Sequence, residues 1–180
     1  MLKHGLISYT AHWVELLNFN TSNIDYTALK QLVGQSVQVK EDIVEQDPFE
    51  HGIRKALNLG HTVGHAFESM ALAEDRPVLH GYAVAWGIVC ELYLSHLKVD
   101  FPKEKMRQTI QFIKDNYGVF TFDCKKYDQL YAFMTHDKKN TSGTINFTLL
   151  KDIGDICINQ TANQDTIFEM LDFYRECMGI

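Results

Sequence analysis

A chain of 180 residues with 46% apolar side chains is long enough for one domain with a sizeable core. A net charge of −6 excludes a general nucleic-acid binder, which needs a basic surface, although a local basic cluster could still hold a small anion. The longest apolar run, residues 83–94, is interrupted by Gly87 and Glu91 and is too short to span a bilayer.

Taken in order, Ser8 and Thr10 are candidate caps for a helix over residues 11–19, and Asn20 to Asp25 reads as a polar turn. Asp25 caps a helical run holding Tyr26, Leu29, Leu32 and Val33, with Gly34 as a candidate break. Val37, Val39, Ile43 and Val44 continue as helix to about Asp47, and Asp47-Pro48 ends it. Glu50 and Arg54 then stand four apart, the spacing of a helical ion pair. Arg54, Asn58, His61 and His65 also stand at helical spacings. Gly60 and Gly64 repeat that spacing and leave a patch without bulk, where a second backbone, a metal or a ligand could approach.

Glu74-Asp75-Arg76-Pro77 is a loop. From His80 to about Leu97 the chain reads as a helix that is apolar nearly all round, hence central and buried. Pro102 suits the first turn of a helix running to Tyr117 and closed by Gly118. Residues 121–126 read as a connector and 127–136 as a short helix with Leu130, Phe133 and Met134 inward. A polar loop, Asp137-Lys138-Lys139-Asn140-Thr141-Ser142-Gly143, precedes a single β-hairpin over residues 144–159. Gln164 or Asp165 opens the last helix. The expected fold class is therefore mainly α, a multi-helix domain with one small hairpin and no central parallel sheet. Cys90, Cys124, Cys157 and Cys177 are scattered without a Cys-x-x-Cys spacing and read as buried free thiols of a cytoplasmic protein. His12 and His96 read as ordinary surface or core histidines.

The run Arg54-x-x-Leu57-Asn58-x-Gly60-His61-Thr62-x-Gly64-His65-Ala66, followed by Leu79-His80-Gly81, closely resembles the 3-dehydroquinate synthases of the shikimate pathway. Lys40, Glu50 and Asp137-Lys138-Lys139 extend the likeness over most of the chain. The resemblance implies the metal- and substrate-binding helical domain of such an enzyme, with the NAD-binding half absent from these residues. No strand–Gly-x-Gly-x-x-Gly–helix unit is present. The family carries Glu-x-x-Lys-x-Gly where this chain has Lys3 and Gly5, so its metal-binding glutamate would fall immediately before Met1. That implies a fragment cut one residue inside the motif, inactive on its own.

By the same resemblance, His61 and His80 are metal ligands, the metal being zinc or another divalent ion such as cobalt. His65 and Glu50 are catalytic. Lys3, Lys40, Arg54, Asn58, His65 and one of Lys138 and Lys139 hold the substrate, a small sugar-acid phosphate. The implied reaction converts 3-deoxy-D-arabino-heptulosonate 7-phosphate to 3-dehydroquinate and phosphate, with NAD transiently oxidising a hydroxyl and the metal acting as a Lewis acid. The implied full-length enzyme is a cytoplasmic homodimer without nucleic-acid or membrane partners. Tyr82 stands where the family usually has glutamate after His-Gly, which removes one candidate carboxylate for orienting His80. Another sugar-phosphate cyclase, a metal-dependent alcohol dehydrogenase relative and an inert helical fragment are the competing readings. Lys40, Arg54, Asn58 and the two-lysine loop favour a phosphorylated acid over a simple alcohol.

Overall fold

The structure, a computed structural model, describes residues 25–136 and 144–180. The helix expected over residues 11–19, His12, Lys3 and the Lys138–Lys139 loop lie outside them.

Helix α1 spans Tyr26–Gln46. Asp25 caps it, its carboxylate accepting the N–H groups of Thr27 at 2.8 Å and Ala28 at 3.1 Å. The break expected at Gly34 does not occur. A glycine inside a helix costs about 1 kcal/mol relative to alanine, and a 21-residue helix absorbs that. Ser36 is the one buried residue of α1, and Tyr26, Val33 and Val37 are exposed among the described residues.

Helices α2 (His61–Ala73) and α3 (His80–Val99) form the centre of the domain. They pack backbone to backbone. A Cβ on Gly87 of α3 would lie 2.1 Å from the Gly60 carbonyl oxygen, and one on Gly64 would lie 3.0 Å from the Ala83 carbonyl oxygen. Of the three occupants the small-residue patch could have admitted, the structure puts a second backbone there.

Helix α4 (Lys103–Tyr117) starts behind Pro102 and ends at Gly118, whose φ is +63°. It buries Met106, Thr109, Ile110 and Ile113, the i, i+3, i+4, i+7 stripe that its sequence carries. The connector of residues 121–126 contains a 3₁₀ turn, Cys124–Lys126, capped by Asp123. Helix α5 (Tyr127–Thr135) follows. Strands β1 (Asn146–Asp152) and β2 (Asp155–Thr161) make one antiparallel hairpin, the two-stranded sheet of the described residues. The register slips between Phe147 and Leu149, where β2 holds an extra residue and Asn159 adopts a φ of +56°. Helix α6 (Gln164–Met178) is capped by Asn163 and closed by Gly179.

Phe67 of α2 meets Phe120, Phe122 and Tyr174 at ring-centroid distances of 5.0, 5.4 and 5.3 Å. The Tyr174 hydroxyl accepts the Phe120 N–H at 3.0 Å and donates to the Phe120 carbonyl at 3.2 Å, and burial pushes its pKa far up. This cluster fixes α2 against α6, and Trp86 of α3 joins it by stacking on Phe120 at 5.5 Å, which anchors both histidine-bearing helices. The cysteines are free, but Cys90 alone is buried. Cys124 is exposed, and Cys157 and Cys177 are half-buried. The expectation of four buried thiols fails because Cys124 lies on a surface turn and the other two sit at the margins of the core.

Candidate metal and substrate site

The run from Arg54 to His65 is not one helix. Residues Ile53–Asn58 form a 3₁₀ turn, and Gly60, at φ +78°, redirects the chain so that His61 becomes the first residue of α2. His80 is likewise the first residue of α3. The packing of α2 on α3 brings these two helix starts together.

The rings of His61, His65 and His80 form a near-equilateral cluster, with centroids 5.5 Å apart for His61–His65, 5.4 Å for His61–His80 and 5.6 Å for His65–His80. His61 is buried, and its Nδ1 lies 3.1 Å from the Leu59 carbonyl oxygen. A carbonyl accepts but does not donate, so Nδ1 carries a proton, and in the neutral ring the lone pair is on Nε2. His80 Nδ1 lies 3.1 Å from Glu68 Oε2, which fixes that ring in the same sense.

Glu68 escaped the reading of the sequence. Its signal was the i,i+3 spacing from His65, which places both on one face of α2. Ligand atoms of His65, Glu68 and His80 all lie within 4.8 Å of one another. Imidazole nitrogens with one carboxylate are a donor set suited to zinc or a similar divalent ion, so the residues present fit such a metal. The carboxylate that Tyr82 cannot supply to His80 comes instead from Glu68.

Glu50 and Arg54 are not a helical ion pair, since Glu50 lies ahead of the 3₁₀ turn at φ +60°. A non-glycine residue in that region is strained by about 1–3 kcal/mol and must be held by its surroundings. Its carboxylate accepts the Asn58 side-chain N–H at 2.5 Å, and Arg54 Nη1 donates to the Pro48 carbonyl at 2.6 Å. Asp47 organises the loop beneath them. It accepts the backbone N–H groups of His51 at 2.9 Å, Gly52 at 2.7 Å and Arg54 at 3.1 Å. Desolvation works against ionisation there, yet these donors prevail and hold the carboxyl below the usual range.

Glu50, Lys55, Asn58, Thr62 and the hairpin residues Asn146 and Asn159 line a polar cleft of about 350 Å³. Glu50, expected to be catalytic, and Asn58, expected to bind the substrate, thus sit on one cleft, whereas none of the three histidines lines it. Lys40 is half-buried on α1, which packs on the 3₁₀ turn carrying Arg54 and Asn58. His96 is structural, its Nδ1 lying 2.8 Å from the Phe101 carbonyl oxygen.

The fold matches solved structures of two synthases. A 2-epi-5-epi-valiolone synthase from Streptomyces hygroscopicus subsp. jinggangensis, solved with NAD+ and Zn2+, superposes with a TM-score of 0.72 at 20% identity, covering 97% of this chain and 49% of that one. A 2-deoxy-scyllo-inosose synthase, solved with carbaglucose-6-phosphate, NAD+ and Co2+, gives 0.67 at 18%, covering 97% and 51%. Fold and site together define a helical domain built like that of these synthases, carrying a cluster of three histidines where two helices begin.

Residues 1–140 match the family described as 3-dehydroquinate synthase C-terminal. The chain is 57% identical over all 180 residues to the 3-dehydroquinate synthase of Parabacteroides distasonis, covering 51% of that protein. It is 39% identical over 170 residues to that of Leptospira interrogans, covering 93% of this chain and 46% of the relative. The chain belongs to the 3-dehydroquinate synthase family, and it spans about half the length of the curated relatives it matches. Among the described residues no helix is long and apolar enough to cross a membrane.

Proposed function

We propose that residues 1–180 are the metal- and substrate-binding domain of a 3-dehydroquinate synthase, which converts 3-deoxy-D-arabino-heptulosonate 7-phosphate to 3-dehydroquinate and inorganic phosphate. The observation that carries this reading is the convergence of His61, His65 and His80, delivered by the starts of two helices packed on each other. His61 and His80 would hold zinc or cobalt, with Glu68 orienting His80 or joining it as a ligand. When bound, the metal supplies Lewis-acid polarisation of substrate oxygens, and NAD+ supplies reversible hydride transfer. NAD+ would be held largely by the half of the relatives that these residues do not match.

The side chains of this domain do the positioning. Arg54 offers a planar fork to a phosphate or carboxylate, and Lys3, Lys40 and one of Lys138 and Lys139 add point charges. Asn58, its amide set by Glu50, presents a fixed donor or acceptor to a substrate hydroxyl. His65 stands beside His61 and His80, where its imidazole would serve as acid or base on a substrate group. The same reading takes the full-length protein to be a cytoplasmic homodimer.

The test is phosphate release by the full-length protein with zinc or cobalt and NAD+. Turnover of the sugar-acid phosphate is expected, lost on chelation or omission of NAD+. A non-acidic hexose phosphate should react at least about 100-fold more slowly, because the donors meant for the carboxylate are left unpaired. Equal or faster turnover of the hexose phosphate would move the protein to another cyclase. Hydride transfer from a simple alcohol without phosphate release would move it to the dehydrogenases.

A further inference from the structure

Glu91 is a fully buried carboxylate in the middle of α3. It accepts the Gly60 N–H at 2.6 Å and the Val63 N–H at 3.3 Å. Gly60 is the N-cap of α2 and Val63 belongs to its first turn, so Glu91 caps α2 from a different helix. A cap is ordinarily the side chain of the N-cap residue itself, but that is impossible here. At φ +78°, a Cβ on residue 60 would lie 2.6 Å from Ile88 Cγ1 and 2.7 Å from the Val84 carbonyl oxygen. The place from which a serine or aspartate would cap the helix is filled by α3, and α3 provides the acceptor instead.

The bond closes a short circuit through the histidines. Leu59 receives the His61 ring, the next residue donates its N–H to Glu91, and Glu91 lies on the helix that His80 begins. Ser95, one turn on, donates to the Glu91 carbonyl at 2.7 Å and accepts the Leu150 N–H at 3.0 Å, which ties this part of α3 to β1. Glu91 thus ties the start of α2, one residue from His61, to the helix that His80 begins.

We propose that Glu91 is a positioning residue that holds His61 in register with His80 for metal binding. The proposal rests on the metal-site reading above. The test compares Glu91→Gln, Glu91→Asp and Glu91→Ala in the full-length protein. Zn2+ and Co2+ affinities are measured by competition with a chromophoric chelator, alongside the visible spectrum of bound Co2+ and the melting temperature. Glutamine keeps an oxygen for Gly60 and gives up only the longer 3.3 Å bond to Val63, where its NH2 cannot accept, so it should bind metal within about threefold of the parent. Aspartate is one methylene short and alanine has no acceptor, so both should bind about 10- to 100-fold more weakly, with a shifted Co2+ spectrum.

Unchanged affinity and spectrum in folded Glu91→Asp and Glu91→Ala would overturn the proposal. So would near-parental Asp with weakened Gln, which would assign the role to charge. Unfolding of both Asp and Ala with a parental Gln spectrum would also overturn it, leaving Glu91 a purely structural cap. His61→Ala is the control for the underlying reading. If that variant binds metal like the parent, the metal-site reading fails, whatever the Glu91 series shows.

Discussion

Replacing His61 or His80 by alanine is expected to weaken zinc or cobalt binding by at least about 100-fold, because disturbing even an outer partner of a metal ligand costs about 10- to 100-fold. The two rings come from the first residues of α2 and α3 with centroids 5.4 Å apart, and each has its Nδ1 engaged, by Leu59 and by Glu68. Both are thus set to coordinate through Nε2. His65→Ala should leave affinity within a few-fold while lowering the rate of phosphate release, since its assigned work is on the substrate. The rival set is His65, Glu68 and His80, whose ligand atoms lie within 4.8 Å of one another. If that trio is the site, His65→Ala and Glu68→Gln lose metal as severely as His80→Ala, and His61→Ala does not. Chelator competition on the four variants decides between them.

Gly87→Ala is expected to be among the most destabilising single methyl additions in the chain. The new Cβ would lie 2.1 Å from the Gly60 carbonyl oxygen and 2.7 Å from the Gly64 nitrogen, both backbone atoms of the facing helix. Overpacking a core costs about 1–3 kcal/mol and occasionally more, and backbone neighbours leave no side chain to swing aside, so about 3 kcal/mol or above is expected. Relief requires α2 and α3 to move apart, which also separates His61 from His80, so metal affinity should fall with stability. Gly34→Ala is the contrast. A Cβ there meets nothing within 4 Å, and in a helix interior the change should stabilise by up to about 1 kcal/mol. Urea denaturation of both variants checks this. A Gly87→Ala protein as stable as its parent would show that the two helices are not packed as described.

Much of the architecture could be read from local signals because those signals act locally. Asp25 and Asp47 bound α1, Pro102 and Gly118 bound α4, and the alternation after residue 144 makes the hairpin. The errors fall where a tertiary contact overrules spacing. Arg54, Asn58, His61 and His65 have helical spacing, yet the backbone of α3 pressed against Gly60 turns the chain there. Glu50 and Arg54 stand four apart without sharing a helix, because the carboxylate of Asp47 gathers the intervening amides into a loop. Glu68 and Glu91 were visible only as a charge near a histidine and an interruption in an apolar run. Their partners, His80 and Gly60, are 12 and 31 residues away, and only the packing of α2 on α3 joins them.

A crystal structure of the full-length protein grown with zinc, with anomalous differences recorded on either side of the zinc edge, would show whether His61 and His80 share a metal. One strong peak is expected between α2 and α3, about 2.0–2.1 Å from Nε2 of both His61 and His80. A peak coordinated by other residues of the chain, or none in this cluster at saturating zinc, would contradict that expectation.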